Sequence, residues 1–132
     1  RILTSPAGAR FRQTVMLGTR SQRTAKAISW LRDNYAQSMS IANLAEHAGM
    51  GISTLHHHFR EITSMSPLQY QKHLRLHEAR RILRSENVDA AIAALRVGYE
   101  SPTQFNREYR RMFGASPIQD VTSFRMSQSG LD

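Results

Sequence analysis

Residues Leu55–Gln69, LHHHFREITSMSPLQ, recur fifty positions later as Phe105–Gln119, FNREYRRMFGASPIQ. The two copies share their arginine, serine, proline and glutamine positions: Arg60 and Arg110, Ser66 and Ser116, Pro67 and Pro117, Gln69 and Gln119. Just upstream, Ala45-x-x-x-Gly49 recurs as Ala94-x-x-x-Gly98, at an offset of forty-nine. Repetition of this kind within 132 residues indicates the tandem duplication of one small supersecondary unit.

Each unit has the pattern of a short helix, a glycine turn and an amphipathic helix. In the first unit, Ser40 is a predicted N-cap, Gly49 ends the short helix, and the second helix runs from about Ser53 to Thr63. The predicted inward side chains of the two amphipathic helices are Leu55, Phe59 and Ile62, and then Phe105, Tyr109 and Met112. The sequence therefore predicts two helix-turn-helix units.

Three Ser-Pro-x-Gln segments, which begin at Ser66, Ser101 and Ser116, are helix-start signals. Serine caps free N–H groups, proline has no N–H to leave unpaired, and glutamine can return a hydrogen bond to the cap. They predict helices to about Arg84, Phe113 and Phe124. Two more helices are expected over 21–37 and between Asn87 or Asp89 and Gly98. Since no alternating strand pattern occurs, we predict an all-α fold of about seven helices.

The expected organisation has five parts. Residues 1–20 form a linker or the tail of an N-terminal regulatory domain, 21–66 the first helix-turn-helix subdomain, 67–85 a connecting helix, 86–124 the second subdomain, and 125–132 a flexible tail.

Composition narrows the class of protein. The formal net charge is +8, and only two of the 18 basic residues are lysines. Guanidinium groups suit bidentate contacts with phosphate and guanine, so this charge favours a nucleic-acid partner. The chain has no cysteine, which excludes disulfides and thiolate metal sites, and no apolar run approaches the ~20 residues of a membrane span.

In a helix-turn-helix unit, the second helix enters the major groove of double-stranded DNA with its N-terminal half leading. The predicted outward residues there can all donate or accept hydrogen bonds: Ser53, Thr54, His56 and His57 in the first unit, and Thr103, Gln104 and Arg107 in the second. The alternative is a helical protein-interaction module that does not bind DNA and whose basic charge is incidental.

Four segments resemble the signature of AraC-type (AraC/XylS) transcription regulators. They are Arg75-Leu76-x-x-Ala79-Arg80-x-x-Leu83, Val97-Gly98-Tyr99-Glu100-Ser101-Pro102, Phe105-x-Arg107-Glu108-Tyr109 and Phe113-Gly114-x-Ser116-Pro117. The resemblance covers about Ser21 to Asp120. It implies a cytoplasmic, nucleoid-associated DNA-binding domain whose two units address successive major-groove faces, with RNA polymerase as a partner. It also implies the subgroup with a small N-terminal regulatory domain, which would bind any effector.

Carried onto this sequence, the resemblance implies two classes of contact. Bases would be read by Ser53, His56, His57, Thr103, Gln104 and Arg107. Phosphates would be contacted by Thr54, Arg60, Ser66, Arg110, Arg111 and Ser116. Ser64 stands where the family often has glycine, which predicts a differently shaped turn at the end of the first unit.

We expect neither a metal site nor catalysis. His73 and His77 have a zinc-compatible spacing, but no third ligand is evident, and the adjacent His56, His57 and His58 are expected to point in different directions. No acidic residue pairs with a histidine and a nucleophile, and no glycine-rich phosphate loop occurs, so we predict no enzyme activity and no cofactor.

Overall fold

A computed structural model describes residues 19–130, in which seven α-helices occur. We number them α1 Arg20–Asn34, α2 Ile41–Ala48, α3 Ile52–Thr63, α4 Pro67–Ser85, α5 Ala90–Arg96, α6 Pro102–Phe113 and α7 Pro117–Gln128. No strand occurs within the described range, and the prediction of an all-α fold is confirmed. The expected linker or tail at 1–20 lies almost wholly outside the described residues.

The helices form two compact units. The first contains α1 and the segment Met39–Tyr70, and the second contains Tyr35–Ser38 and the described chain from Gln71 onward. The first turn of α4 therefore belongs to the first unit and the rest of that helix to the second. The helix itself forms, but its expected role as a separate connecting element at 67–85 stays a prediction.

In the first unit, α1 packs against α2 and α3. The buried apolar side chains of this unit are Ala27, Ile28, Leu31, Leu44, Ala45, Ala48, Leu55, Phe59 and Tyr70. The Tyr70 ring lies edge-on to Phe59 at 5.4 Å, and its hydroxyl accepts a hydrogen bond from Nε of Arg32 at 3.1 Å. Phe59 and Arg32 thus hold the first turn of α4 within the first unit.

The second unit is built around one apolar cluster, to which α4, α5 and α6 contribute: Leu76, Ala79, Ile82, Leu83, Ala93, Ala94, Val97, Tyr99, Phe105 and Tyr109. Leu76, Ala79 and Leu83 are at most 3% exposed, so the face predicted to be the buried side of α4 is confirmed. The small residues Ala93 and Ala94 are fully buried on α5, where they let the neighbouring helices approach closely.

The predicted caps form. Oγ of Ser40 accepts from the N–H of Asn43, and the Asp89 carboxylate accepts from the N–H of Ile92, so Asp89 rather than Asn87 begins α5. All three Ser-Pro-x-Gln segments start helices, and at Ser66 and Ser116 the glutamine returns a bond to the cap backbone. At Ser101 the hydroxyl accepts from the backbone N–H of Gln104, but the Gln104 side chain donates to Glu108 instead of bonding the cap backbone.

The turn that follows α3 has the same shape as the turn that follows α6. Ser64 has φ 64° and ψ 13°, and Gly114 has φ 79° and ψ 0°. Each donates its N–H to the carbonyl four residues earlier, on Arg60 and Arg110 respectively. The expectation of a differently shaped turn at Ser64 was wrong, because the helix end imposes the left-handed conformation on serine although glycine adopts it more readily.

Two predicted inward residues are exposed: Ile62 is 52% exposed and Met112 is 38% exposed. Both occupy the last turn of a twelve-residue helix whose partner has only seven or eight residues. At about 1.5 Å per residue, the longer helix extends past the shorter one by roughly a turn. The side chains have the correct helical period, but they stay exposed in the last turn of the longer helix.

Helix α7 also differs from expectation. It continues to Gln128, so the described part of the expected flexible tail, from Arg125 on, begins as helix rather than as irregular chain. The Arg125 guanidinium donates to the Glu86 carbonyl at 3.3 Å, a contact that extends the packed length of α7.

The first helix ends three residues earlier than predicted, at Asn34 instead of Gln37. The next carbonyls accept hydrogen bonds from α4: Tyr35 O from Nε of Arg75 at 2.6 Å, and Gln37 O from Nε2 of Gln71 at 2.9 Å. Arg75 also donates to the Gly98 carbonyl at 3.2 Å. These hydrogen bonds hold the segment that follows α1 within the second unit.

A buried carboxylate joins three helices of the second unit. Asp120 on α7 accepts from Arg80 at 3.0 Å, from Arg84 at 2.8 Å and from the Tyr109 hydroxyl. Burial by itself raises the pKa of Asp120, but the hydrogen bonds from Tyr109, Arg80 and Arg84 outweigh it and lower the pKa from 3.8 to about 2. The ionised form is therefore strongly favoured in the folded protein.

We predict that Asp120→Asn lowers the free energy of unfolding by about 2–4 kcal/mol at neutral pH, because two arginines lose their anion. Because the pKa of Asp120 is lower in the folded than in the unfolded protein, its contribution to stability is complete above the unfolded-state pKa near 4. That contribution is lost as pH falls toward the folded-state pKa of about 2. The difference between variant and wild type should shrink across that window in denaturant titrations. Asp33→Asn, at an exposed carboxylate, is the control. An undiminished difference at pH 2 would contradict this account.

None of the helices within the described chain has both the length and the apolar character needed to cross a membrane.

Candidate nucleic-acid interface

The corner of each helix-turn-helix is made by a glycine with positive φ. Gly49 (φ 71°) follows α2, and Gly98 (φ 103°) follows α5. Ala45 and Ala94, four residues earlier, are 2% exposed, as the close crossing of two helices requires. In each pair, the short helix is joined to the longer one by a sharp turn and contributes a small buried alanine. The longer helices, α3 and α6, are the candidate recognition helices.

Helix α3 presents a polar N-terminal half. Ser53 and His57 are exposed, and Thr54 and His56 are partly exposed. Leu55 and Phe59, both 0% exposed, fix the opposite face against the core of the first unit. The predicted base-reading residues of this unit therefore share an accessible helix, and their contact with bases stays a prediction.

Two of the three adjacent histidines come together, contrary to expectation. Nδ1 of His58 lies 2.7 Å from Glu61, and Nε2 of His57 lies 3.5 Å from the other oxygen of the same carboxylate. Their ligand atoms all lie within 4.8 Å of one another, and these residues could hold an imidazole-preferring cation such as Zn²⁺. Glu61 lies three and four residues ahead on the helix, which brings it within reach of both rings.

Helix α6 presents a more positive surface. Thr103, Gln104, Arg107, Arg110 and Arg111 are all exposed. The one carboxylate in this helix, Glu108, is 9% exposed, so the accessible side of α6 bears arginines without a competing anion. On α3, by comparison, the exposed Arg60 is followed directly by the exposed Glu61.

Glu108 is a functional candidate that the sequence analysis missed. Its carboxylate accepts from the Tyr99 hydroxyl at 2.6 Å and from Nε2 of Gln104 at 3.0 Å, and Nζ of Lys72 lies 3.5 Å away. Burial alone raises the pKa of Glu108, but these three partners lower it below its usual value. The i,i+4 spacing of Gln104 and Glu108 was the available signal, since such pairs hydrogen bond on helices.

The predicted phosphate contacts fall into two kinds. Arg60, Arg110 and Arg111 are exposed cations. The other three have hydroxyl groups: Ser66 is buried, and Thr54 and Ser116 are partly buried. Both serine hydroxyls act as helix caps, so a phosphate at these helix starts would be bound by backbone N–H groups as well.

The other histidine pair offers two ligands. The rings of His73 and His77 are 4.2 Å apart, and burial, followed by the nearby His73 and Arg80, lowers the pKa of His77. Across residues 19–130, a third ligand group joins only the His57 and His58 pair. The His73 and His77 pair packs instead against Phe113, edge-on to His77 at 5.2 Å.

Comparison with known proteins identifies the family. Residues 44–122, more than half of the chain, match a family model described as a helix-turn-helix domain. The activator RhaS of Pectobacterium carotovorum is 30% identical over 105 residues, which are 80% of this chain and 38% of that protein. RhaS of Escherichia fergusonii is 32% identical over 90 residues, 68% of this chain and 32% of that protein. The chain belongs to the AraC-type family of transcriptional regulators.

Solved structures agree with this AraC-type fold. The DNA-binding domain of AdpA, solved in complex with a target DNA, superposes with a TM-score of 0.76 at 26% identity, over 80% of this chain and 96% of that one. A probable AraC family regulator from Rhodopseudomonas palustris has a TM-score of 0.70 at 23% identity, over 78% of this chain and 97% of that one. The chain spans about 38% of the length of the first RhaS relative.

Proposed function

We propose that this AraC-type domain binds double-stranded DNA in a sequence-specific manner through its two helix-turn-helix units and thereby regulates transcription. One observation carries the proposal: both units expose a recognition helix, α3 or α6, whose N-terminal half is polar and accessible while its apolar face is buried. The likeness to the DNA-binding domain of AdpA supports it.

In this proposal, affinity and specificity come from different side chains. Arg60, Arg110 and Arg111 are the phosphate contacts, together with Thr54 and the helix starts at Ser66 and Ser116. The base contacts are Ser53, His56 and His57 on α3 and Thr103, Gln104 and Arg107 on α6. Phosphate contacts supply most of the binding free energy, and contacts with base edges supply the choice of site.

We expect DNA affinity to fall steeply with salt. With at least six phosphate contacts and a net charge of +8, the logarithm of the association constant should fall with the logarithm of salt concentration with a slope of about −4 to −8. Fluorescence anisotropy of a labelled duplex between 50 and 300 mM salt, roughly the range where the effect is large, measures it. A slope weaker than about −2 would favour the protein-interaction module over the DNA-binding domain.

Two exposed arginines of α6 should separate the two kinds of contact. Arg107→Ala is expected to weaken specific binding by about 1–3 kcal/mol and to relax the preference at one or two base pairs. Arg111→Ala is the matched control on the same helix: it should weaken binding to all sequences alike and reduce the salt slope by about one. Site selection from a random duplex pool with each variant measures the base preference, and anisotropy titrations at several salt concentrations measure the affinity and the salt slope. An unchanged selected sequence for Arg107→Ala would remove Arg107 from the base-reading set.

The regulatory steps are part of the same proposal. RNA polymerase is the expected partner at the promoter, the location is the cytoplasm, at the nucleoid, and an effector would act through an N-terminal regulatory region. Activation is the expected outcome, since the RhaS relatives are named activators. In vitro transcription from a selected site with purified RNA polymerase distinguishes activation from repression.

A further inference from the structure

Gln104 stands at the third position of α6, in the first turn that would enter the major groove. Its side-chain amide carries two N–H donors on Nε2 and an acceptor, Oε1. A freely rotating glutamine can therefore present either group to a base. In the major groove, guanine and thymine offer only acceptors, whereas cytosine offers an exocyclic amino donor and adenine offers an amino donor beside its acceptor N7. An unrestrained Gln104 would discriminate poorly between these two classes.

The structure removes this freedom. Nε2 of Gln104 donates to Oε2 of Glu108 at 3.0 Å, and an ionised carboxylate can only accept. A flipped amide would place two acceptors against each other, so the nitrogen must face Glu108. Because Glu108 is 9% exposed and Gln104 is exposed, the nitrogen faces the protein and Oε1 is left as the accessible end.

Glu108 is itself held from both sides. The Tyr99 hydroxyl donates to its Oε1 at 2.6 Å, and Nζ of Lys72 lies 3.5 Å from its Oε2. Tyr99 is 5% exposed and belongs to the core of the second unit. This gives the carboxylate a fixed position and a stable charge, as a supporting residue requires.

We propose that Glu108 is a specificity-determining positioning residue: it orients Gln104 so that Oε1 accepts a hydrogen bond from the exocyclic amino group of adenine or cytosine. This inference rests on the proposed DNA-binding function. At the offset of fifty, the first unit has Thr54 and His58 in place of Gln104 and Glu108. The device therefore belongs to the second unit alone and gives the two recognition helices different base preferences.

The experiment uses the chain as it exists and a duplex selected by the wild type from a random pool. The base preferences of Gln104→Ala and of the wild type are first compared at every position of this duplex. The base pair at which the variant loses its preference is the pair that Gln104 contacts. At that pair, the adenine or cytosine is then replaced by an analogue that lacks the exocyclic amino group. We expect the wild type to lose about five- to tenfold in affinity for the analogue duplex, and Gln104→Ala to lose nothing further.

Glu108 is tested in a background that keeps the core intact. Tyr99→Phe is the matched control, because it removes the other hydrogen bond to Glu108 and leaves Gln104 oriented. The double variant Tyr99→Phe/Glu108→Met replaces both partners by apolar groups of similar shape, a change that is nearly neutral for folding. We expect Tyr99→Phe to keep the five- to tenfold discrimination and the double variant to reduce it to about twofold, with preferences at other base pairs unchanged.

The outcomes separate this inference from the proposed function. If the double variant discriminates as well as Tyr99→Phe, or if all base pairs are affected equally, Glu108 does not orient Gln104. If the wild type is indifferent to the amino group, or Gln104→Ala changes no preference, Gln104 does not read a base donor. If the wild type shows no preference among duplexes at all, the proposed function itself fails.

Discussion

Gly98→Ala is expected to lower the free energy of unfolding of the second unit by about 3–5 kcal/mol. A Cβ at this position would lie 2.4 Å from the carbonyl oxygen of Ala36, and 2.9 Å from two further backbone atoms of that residue. Because the obstructing atoms are backbone, no side-chain rotation relieves the contact. The φ of 103° adds strain that any L-residue would suffer.

The loss should be visible as a decrease in melting temperature of at least about 10 °C by circular dichroism. It should be accompanied by loss of sequence preference at the base pairs assigned to α6. Gly51→Ala is the matched control: Gly51 has φ −73°, and a Cβ there would meet no atom within 4 Å. Equal stability of the two variants would show that the Ala36 segment does not pack against Gly98.

Ala79→Glu is expected to unfold the second unit or to destabilise it by about 4 kcal/mol or more. Ala79 is 0% exposed and lies in the apolar cluster with Leu76 and Leu83. A carboxylate there loses its hydration without gaining a partner, and the larger side chain also overpacks the core. Specific DNA binding should be lost with the fold.

Ala91→Glu gives the matched control, because it makes the same chemical change at an exposed alanine in the first turn of α5. A negative charge at a helix N-terminus is neutral to mildly stabilising. Urea denaturation of the three proteins compares them directly. Wild-type stability of Ala79→Glu would mean that this face of α4 is open to solvent.

Much of the fold is predictable from local sequence because the signals are chemical and short-ranged. A Ser-Pro-x-Gln segment specifies a helix start wherever it occurs, and all three occurrences begin a helix. Leu55 and Phe59, like Phe105 and Tyr109, follow the 3.6-residue period and are buried as predicted. The fifty-residue repeat could be recognised without any structure, and so could the two helix-turn-helix units and the accessible polar residues of α3 and α6.

The predictions that were wrong concern features that depend on residues distant in sequence. The period of Ile62 and Met112 places them on the inner face, but the partner helices are too short to cover them. The predicted end of α1 at Gln37 was also wrong: the chain leaves the helix at Asn34, and the carbonyls of Tyr35 and Gln37 accept hydrogen bonds from Arg75 and Gln71, more than thirty residues later.

The candidate site likewise has features that the sequence determines and one that depends on the tertiary structure. The sequence alone determined which residues of α3 and α6 are polar and accessible, because helical period and capping fix which side of a short helix faces the core. Only the tertiary structure decided how one of them is oriented. The i,i+4 spacing of Gln104 and Glu108 allows a hydrogen bond between them, but only the fold buries Glu108 beside Tyr99 and Lys72, so that the amide nitrogen of Gln104 faces the protein. Orientation of this kind depends on atoms brought together by folding, and residue types in order along the chain do not specify it.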